Sequence, residues 1–383
     1  LRAAYDKKSR MPKQLASRRI GLLFDMNNYW EMEFQRQTDQ WWTMPHIHKY
    51  YNLLKSFAAP VDVISEKEDF SGYPFLIAPA YQLLDNNLVE RWTEYVKNGG
   101  HLILTYRTGQ KDRDAKLWEA PLAAPIHQLA GINSLYYDHL PHSLYGKVDF
   151  GSEEYAWNNW ADVLTPSAGT DVWAVYADQF YKGAASVIHR RLGKGTVTYI
   201  GTDTDDGKLE KEVVRRVYTE AGVPTEDLPY GVVKEWRDGF YIALNYTSDI
   251  QEIVIPDEAE VLIGSARLEP AGVVVWKKNR TTSINNPITR KMKIRNLISC
   301  ALCGLTLFAC SPSGGGKDRE MDRFITDLMD RMTLREKLGQ LNLPSGGDLV
   351  TGSVINGELS DMIRKQEIGG FFNVKGIQKI NVL

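Results

Sequence analysis

A chain of 383 residues is long enough for two or three domains and a substantial core. Its 43% hydrophobic and 25% charged content is that of ordinary globular protein, and a net charge of -2 supplies no overall field for nucleic acid or an anionic membrane. The distribution along the chain says more than the averages. All three cysteines (Cys300, Cys303, Cys310) fall within eleven residues, and all ten tryptophans lie at or before Trp276. Two compositional breaks at one place point to two segments of different origin.

In chain order, residues 1–18 are polar and basic and read as a connection arriving from an upstream segment. Residues 19–25 (RIGLLFD) read as a buried strand, and residues 45–57 as a helix with Ile47, Tyr50, Tyr51, Leu54 and Phe57 on one face. Residues 61–64 and 73–80 give two further strands. Residues 86–96 form an amphipathic helix ended by Gly99-Gly100, and residues 101–106 (HLILTY) a fourth strand. This alternation predicts an α/β, doubly wound parallel sheet with helices on both faces, spanning residues 19–224. It closes with a hairpin around Gly193-Lys194-Gly195 and a helix over residues 209–221.

From residue 230 to 278 the pattern changes to short strands (VVKEW, FYIALNY, QEIVI, EVLIG, GVVVW), a small all-β domain near the lower size limit for folding alone. Residues 279–291 are polar and aperiodic and read as an unstructured junction. A basic start at Met292 then leads into a thirteen-residue apolar stretch, residues 297–309, too short to span a membrane but suited to a signal-peptide core. Leu307-Phe308-Ala309-Cys310 is similar to a bacterial lipoprotein cleavage site with Cys310 as the lipidated residue, followed by a flexible Ser/Gly tether. A buried apolar helix is the alternative for this segment.

The first 278 residues resemble family 42 β-galactosidases. Residues 19–224 are similar to the family's trimerisation domain through Leu22-Leu23-Phe24-Asp25 with Asn28 and Trp30, Pro60-Val61-Asp62-Val63, residues 73–79 (YPFLIAP) and residues 95–109 (YVKNGGHLILTYRTG). Residues 230–278 look like the small C-terminal domain that follows it. The resemblance implies a flavodoxin/glutamine-amidotransferase-like fold, a homotrimer, and action on terminal β-galactosides with no cofactor. It also implies that the two catalytic glutamates belong to an upstream barrel, so none is assigned on this sequence, and retaining hydrolysis requires such a carboxyl pair. Neither a cysteine before residue 300 nor a Gly-x-Ser-x-Gly elbow offers a nucleophile. Trp30 and Arg107 are the candidates for a substrate-bordering or subunit interface, the alternatives being a core tryptophan and a solvated arginine. The sequence leaves the location of this part unknown, the cytoplasm being the expectation.

Residues 311–383 resemble the N-terminus of family 3 β-glucosidases, carried by residues 332–341 (MTLREKLGQL) and residues 368–374 (IGGFFNV), with Glu336 and Lys337 as helix-surface charges. That likeness, with the signal-like segment 292–310, implies an exported bacterial lipoprotein joined to the first part. A different class of function stays open: a stand-alone carbohydrate-related binding or oligomerisation module without enzymatic activity.

Other constellations read as structural. His46 and His48 are two apart in a predicted helix and face different ways, with no third ligand nearby. The cluster Asp203, Asp205, Asp206 lacks the glycine phase and the twelfth-position glutamate of a calcium loop, where Val214 stands, and is expected to cap the following helix. Cys300 and Cys303 sit inside the signal-like stretch, which leaves no metal or redox role for them.

Overall fold

The computed structural model describes residues 10–119, 121–141, 143–278, 316–333, 336–337 and 364–365. A short helix α1 (Lys13–Ala16) leads into β1 (Ile20–Leu23), α2 (Met26–Phe34), α3 (Thr43–Ser56), β2 (Val61–Ile64), β3 (Phe75–Ala78), α4 (Asn86–Lys97) and β4 (His101–Thr105). There follow α5 (Ala124–Ala130), β5 (Ile132–His139), β6 (Gly146–Phe150), β7 (Glu153–Trp157), β8 (Trp160–Pro166), β9 (Thr170–Tyr176), β10 (Ala185–Leu192), β11 (Gly195–Ile200) and α6 (Lys208–Glu220).

Strands β1 to β11 form one 11-stranded sheet in the order β2-β1-β3-β4-β11-β10-β9-β6-β7, with β5 paired to β8 and β8 joined to β10. The first five strands in that order are parallel. Period-two alternation divides their side chains between two cores. From β3, Phe75 and Ile77 pack with Leu54 of α3 and Val213 of α6, whereas Leu76 and Ala78 pack on the opposite face with Leu88 and Trp92 of α4 and Ile126 of α5. Complete burial of Trp92 contributes roughly 2–3 kcal/mol.

The expectation of a parallel sheet holds for only part of this domain. Residues 132–192 add six strands, β5 to β10, and every pairing among them is antiparallel. The α4 helix begins on Asp85, whose carboxylate accepts from Leu88 N at 2.8 Å. Its end supports the β10–β11 hairpin: Lys194 N donates to Lys97 O at 3.1 Å, and Thr196 N to Gly100 O at 3.2 Å. The backbones approach so closely that a Cβ on Gly195 would lie 2.0 Å from Gly100 O and 2.4 Å from Val96 O.

The second domain comprises β12 (Val232–Arg237), β13 (Phe240–Asn245), β14 (Gln251–Glu252), β15 (Ala259–Ile263), β16 (Arg267–Leu268) and β17 (Val273–Lys278). A four-stranded antiparallel sheet β12-β13-β17-β15 and a two-stranded β14-β16 pair enclose Val232, Ala243, Leu268, Val274 and Trp276. The predicted QEIVI strand is confined to Gln251–Glu252, and β16 was not foreseen. This domain packs on the first through side-chain ion pairs and a backbone hydrogen bond. Glu226 accepts from Arg18 at 2.5 Å and from Lys234 at 2.7 Å, Lys55 of α3 pairs with Glu235 of β12, and Leu228 N donates to Ser56 O at 2.8 Å.

Residues 286–383 form a separate compact unit. Its described part is the helix α7 (Gly316–Arg331) and the turn after it. There Thr333 N donates to the Glu336 carboxylate at 2.6 Å and Glu336 N to Thr333 Oγ1 at 3.3 Å, a reciprocal capping box. Glu336 is thus the partner of a helix-start threonine. The junction 279–291, the segment 292–310 with Cys300, Cys303 and Cys310, and residues 368–374 lie outside the described residues. Among the described residues, no helix is long and apolar enough to cross a membrane.

Substituting Gly195→Ala forces backbone apart at the α4–hairpin seam and is expected to cost about 1–3 kcal/mol, since overpacking against rigid backbone has no flexible side chain to absorb it. Urea denaturation followed by circular dichroism measures this; an unchanged midpoint would mean that the seam yields freely.

Candidate functional site

The carboxyl ends of β1, β3, β4 and β11 gather a buried polar network, the position at which open α/β sheets place their sites. The chain leaves β4 through Tyr106 and enters Arg107 with φ 66°, a left-handed conformation unusual for a long side chain. Arg107 N donates to Asp162 Oδ2 of β8 at 2.9 Å. Asp162 also accepts from Trp160 Nε1 at 2.9 Å and from the Tyr199 hydroxyl at 2.6 Å. Burial pushes its carboxyl up from 3.8 to about 6, against the downward pull of those three donors.

The Arg107 guanidinium is fully buried and lies over the rings of Trp41 and Trp160, 4.8 and 4.7 Å from their centroids. It donates to Arg36 O at 2.9 Å and Gln35 O at 3.1 Å, which pins the segment joining α2 to α3. Burial lowers its pKa to about 10, leaving it cationic at neutral pH.

A second cluster adjoins the first. Trp41 Nε1 donates to the Tyr106 hydroxyl at 2.6 Å, which pairs with His46 Nδ1 at 2.8 Å. Burial, then the positive charges of Lys49 and Arg107, hold His46 well below its ordinary value, so the imidazole is neutral. Lys49 bridges Asp203 and Glu210, at 2.7 Å from the latter, and donates to Thr204 O at 2.9 Å. Burial draws the Lys49 value down, but the two carboxylates outweigh it and hold the ammonium above its usual range. Asp203 is raised, because burial and the neighbouring Glu210 exceed what the shared lysine returns.

The two carboxylates flank one ammonium, and Glu210 has no exposed surface and is further bonded to Thr204. That engagement withholds both from acid/base or nucleophilic work. Asp203 therefore does not cap α6 as expected. Gly207 stands at the cap position without a side-chain bond, and Asp206 alone among the three aspartates serves the helix start, accepting from Lys208 N at 3.0 Å.

The amino-acid sequence matches the model of the β-galactosidase trimerisation domain over residues 18–224 and that of the β-galactosidase C-terminal domain over residues 233–278. The chain belongs to the family 42 β-galactosidases. Among its relatives, β-galactosidase BgaH of Haloferax lucentense is 30% identical over 251 residues, covering 65% of this chain and 38% of that protein. BgaA of Clostridium cellulovorans is 27% identical over 276 residues, 69% of this chain and 42% of that one. The solved β-galactosidase of Halorubrum lacusprofundi superposes with a TM-score of 0.64 at 27% identity, over 72% of this chain and 41% of its own. The chain thus spans about two-fifths of the length of the relatives it matches.

The structure places the two predicted border residues differently. Trp30 is 51% exposed on α2, in a stripe with Met26 and Phe34 at four-residue spacing. Arg107 offers no surface in this chain. Asn28, cited only as part of the resemblance, holds the α2 start: its Oδ1 accepts from Gln82 N at 2.7 Å and Leu83 N at 3.1 Å. His46 is buried and His48 exposed, as a helix requires of residues two apart. Asp162, Tyr199 and Trp160 were missed because they lie on strands far along the chain from Arg107, Asp162 being 55 residues away, with no local motif to signal their meeting.

Truncating Arg107→Ala removes a buried cation from its hydrogen bonds and ring contacts and is expected to cost about 3–5 kcal/mol. Chemical denaturation checks this; a loss below 1 kcal/mol would mean the α2–α3 segment is held by other contacts. For Asp162 the folded value, about 6, lies above the unfolded 3.8. Its stabilising contribution is therefore complete below about pH 4 and is lost as pH rises through 6. Asp162→Asn should flatten this part of the stability–pH curve between pH 4 and 6.5. Equal slopes for both proteins over that range would rule the assignment out.

Proposed function

We propose that residues 18–278 are the subunit-assembly part of a β-galactosidase, a homotrimer in its working state. The carrying observation is that the trimerisation and C-terminal domain models match in tandem across one compact unit. The exposed stripe Met26, Trp30 and Phe34, the last 86% exposed, supports a surface meant for a partner. Trp30 is assigned to that border, and Arg107 acts on it from beneath by holding the segment after α2. The order β2-β1-β3-β4-β11 of the parallel strands supports the flavodoxin/glutamine-amidotransferase-like description. Hydrolysis of β-galactosides is the activity this part serves, with the catalytic carboxyl pair outside the two matched domains.

In the same reading residues 292–383 derive from a family 3 β-glucosidase lipoprotein, with Cys310 as its lipidation site, and the junction lies within residues 279–291. The capping box at Thr333 and Glu336 is consistent with a helix starting there. Independent sequencing of the source DNA with a stop or frameshift in that interval supports a joined pair of genes; uninterrupted coding sequence counts against it.

Light scattering on the purified chain is expected to give a trimer, with Trp30→Ala and Phe34→Ala together shifting it toward monomer by at least tenfold in dissociation constant. A chain that stays monomeric at about 100 μM, where even interfaces of micromolar affinity are formed, would defeat the assembly reading. Turnover of a chromogenic β-galactoside by the same sample would overturn the assignment of catalysis elsewhere.

A further inference from the structure

The network at the carboxyl edge of the sheet borders a cavity of about 200 Å³. Its walls come from the α2–α3 segment (Gln40, Trp41, Trp42), the start of α3, the β7–β8 turn (Asn159) and the segment after β11 (Asp203, Asp205). Its size admits one small molecule, below the roughly 300 Å³ at which drug-sized ligands begin.

Three features of the lining select the ligand. First, Asn159 is 8% exposed, yet its Oδ1 has no hydrogen-bond partner, an expensive omission for a buried carbonyl. Asn159 also stands at φ 65°, strain that the turn tolerates while presenting this residue to the cavity wall. Second, the wall combines two indoles with two carboxamides and carboxylates. Arg36 covers one face of Trp42 at 3.6 Å, and the ring remains half-exposed. Third, the charge balance disfavours anions: Asp203, Asp205 and Glu210 outnumber the Arg36 guanidinium over Trp42 and the Lys49 ammonium, whose protons are already given to Asp203, Glu210 and Thr204 O.

A neutral polyol meets all three conditions. Its hydroxyls donate to the Asn159 carbonyl and the Asp205 carboxylate and accept from carboxamide N–H groups, while its C–H face lies on indole. A cation fits less well, since Arg36 already occupies a Trp42 face and Lys49 already neutralises Asp203. We propose that this cavity is a binding site for a single neutral monosaccharide, held by Trp42 and Asn159. It stands independently of the assembly reading.

The test is ligand-observed NMR and calorimetric titration of the full chain with D-galactose and D-glucose, alongside inorganic phosphate and tetramethylammonium. Saturable hexose binding with a dissociation constant on the order of millimolar is expected, the affinity usual for so few atoms. Trp42→Ala and Asn159→Gly, the latter keeping the turn's left-handed backbone accessible, should each weaken it at least tenfold. Tyr230→Ala, which removes an exposed aromatic ring outside the cavity, should leave it unchanged. Circular dichroism and light scattering on the same samples separate lost binding from lost folding or assembly. No hexose binding by about 50 mM, binding of phosphate or tetramethylammonium alone, or hexose binding indifferent to both cavity variants while they remain folded would each overturn the proposal.

Discussion

Asp162 joins parts of the molecule that sequence keeps far apart. Its carboxylate lies on β8, within the antiparallel extension, and accepts from the backbone at the end of β4 and from Tyr199 on β11, both in the parallel part. A buried carboxylate is costly unless hydrogen-bonded, and here each donor comes from a fixed element. The Arg107 N–H can reach it only because the chain turns left-handed after Tyr106. That same turn carries the guanidinium under Trp41 and Trp160, from where it grips Arg36 O and Gln35 O. Sheet extension, turn and the segment that supports Trp42 are therefore one connected arrangement.

The second cluster follows from the first by adjacency. Tyr106 precedes the strained arginine and pairs with His46 on α3, whose next turn supplies Lys49 to Asp203 and Glu210. Three ionised groups of unequal sign sharing one proton-rich centre leave excess negative charge close to the cavity, while His46 stays neutral beside them. The Lys49 ammonium at this edge is already given to Asp203, Glu210 and Thr204 O, unlike the open N–H donors of a phosphate-binding edge.

How much of this was legible depends on range. The β1, β3 and β4 strands were readable as apolar runs, and α4 from Leu88, Val89, Trp92 and Val96 on one face with Gly99-Gly100 at its end. The β10–β11 hairpin was legible from its glycines. Strands β5 to β9 were not, because their inward residues are interrupted by polar ones, as in the pattern of buried Leu135 amid exposed Ser134 and Tyr136. Their pairing is decided by contacts with β10 and by the aspartate at 162. The aspartates at 203–206 looked like one capping cluster, but a lysine 154 residues earlier claims Asp203. Long-range ion pairing of this kind has no periodicity from which to read it.

The turn after β4 differs from a nucleophile elbow in what it presents. A nucleophile elbow uses a strained turn at a strand's carboxyl end to hold its side chain exposed, within reach of a base and of oxyanion donors. Arg107 has the left-handed backbone, but its side chain is buried between two indoles and its N–H is taken by Asp162. An arginine also keeps its proton at neutral pH, so it can neither attack nor accept. The neighbouring histidine is oriented by Tyr106 and Thr105 rather than toward a nucleophile. Strain that would elsewhere present a reactive group is here used to fix the segment bearing Trp41 and Trp42.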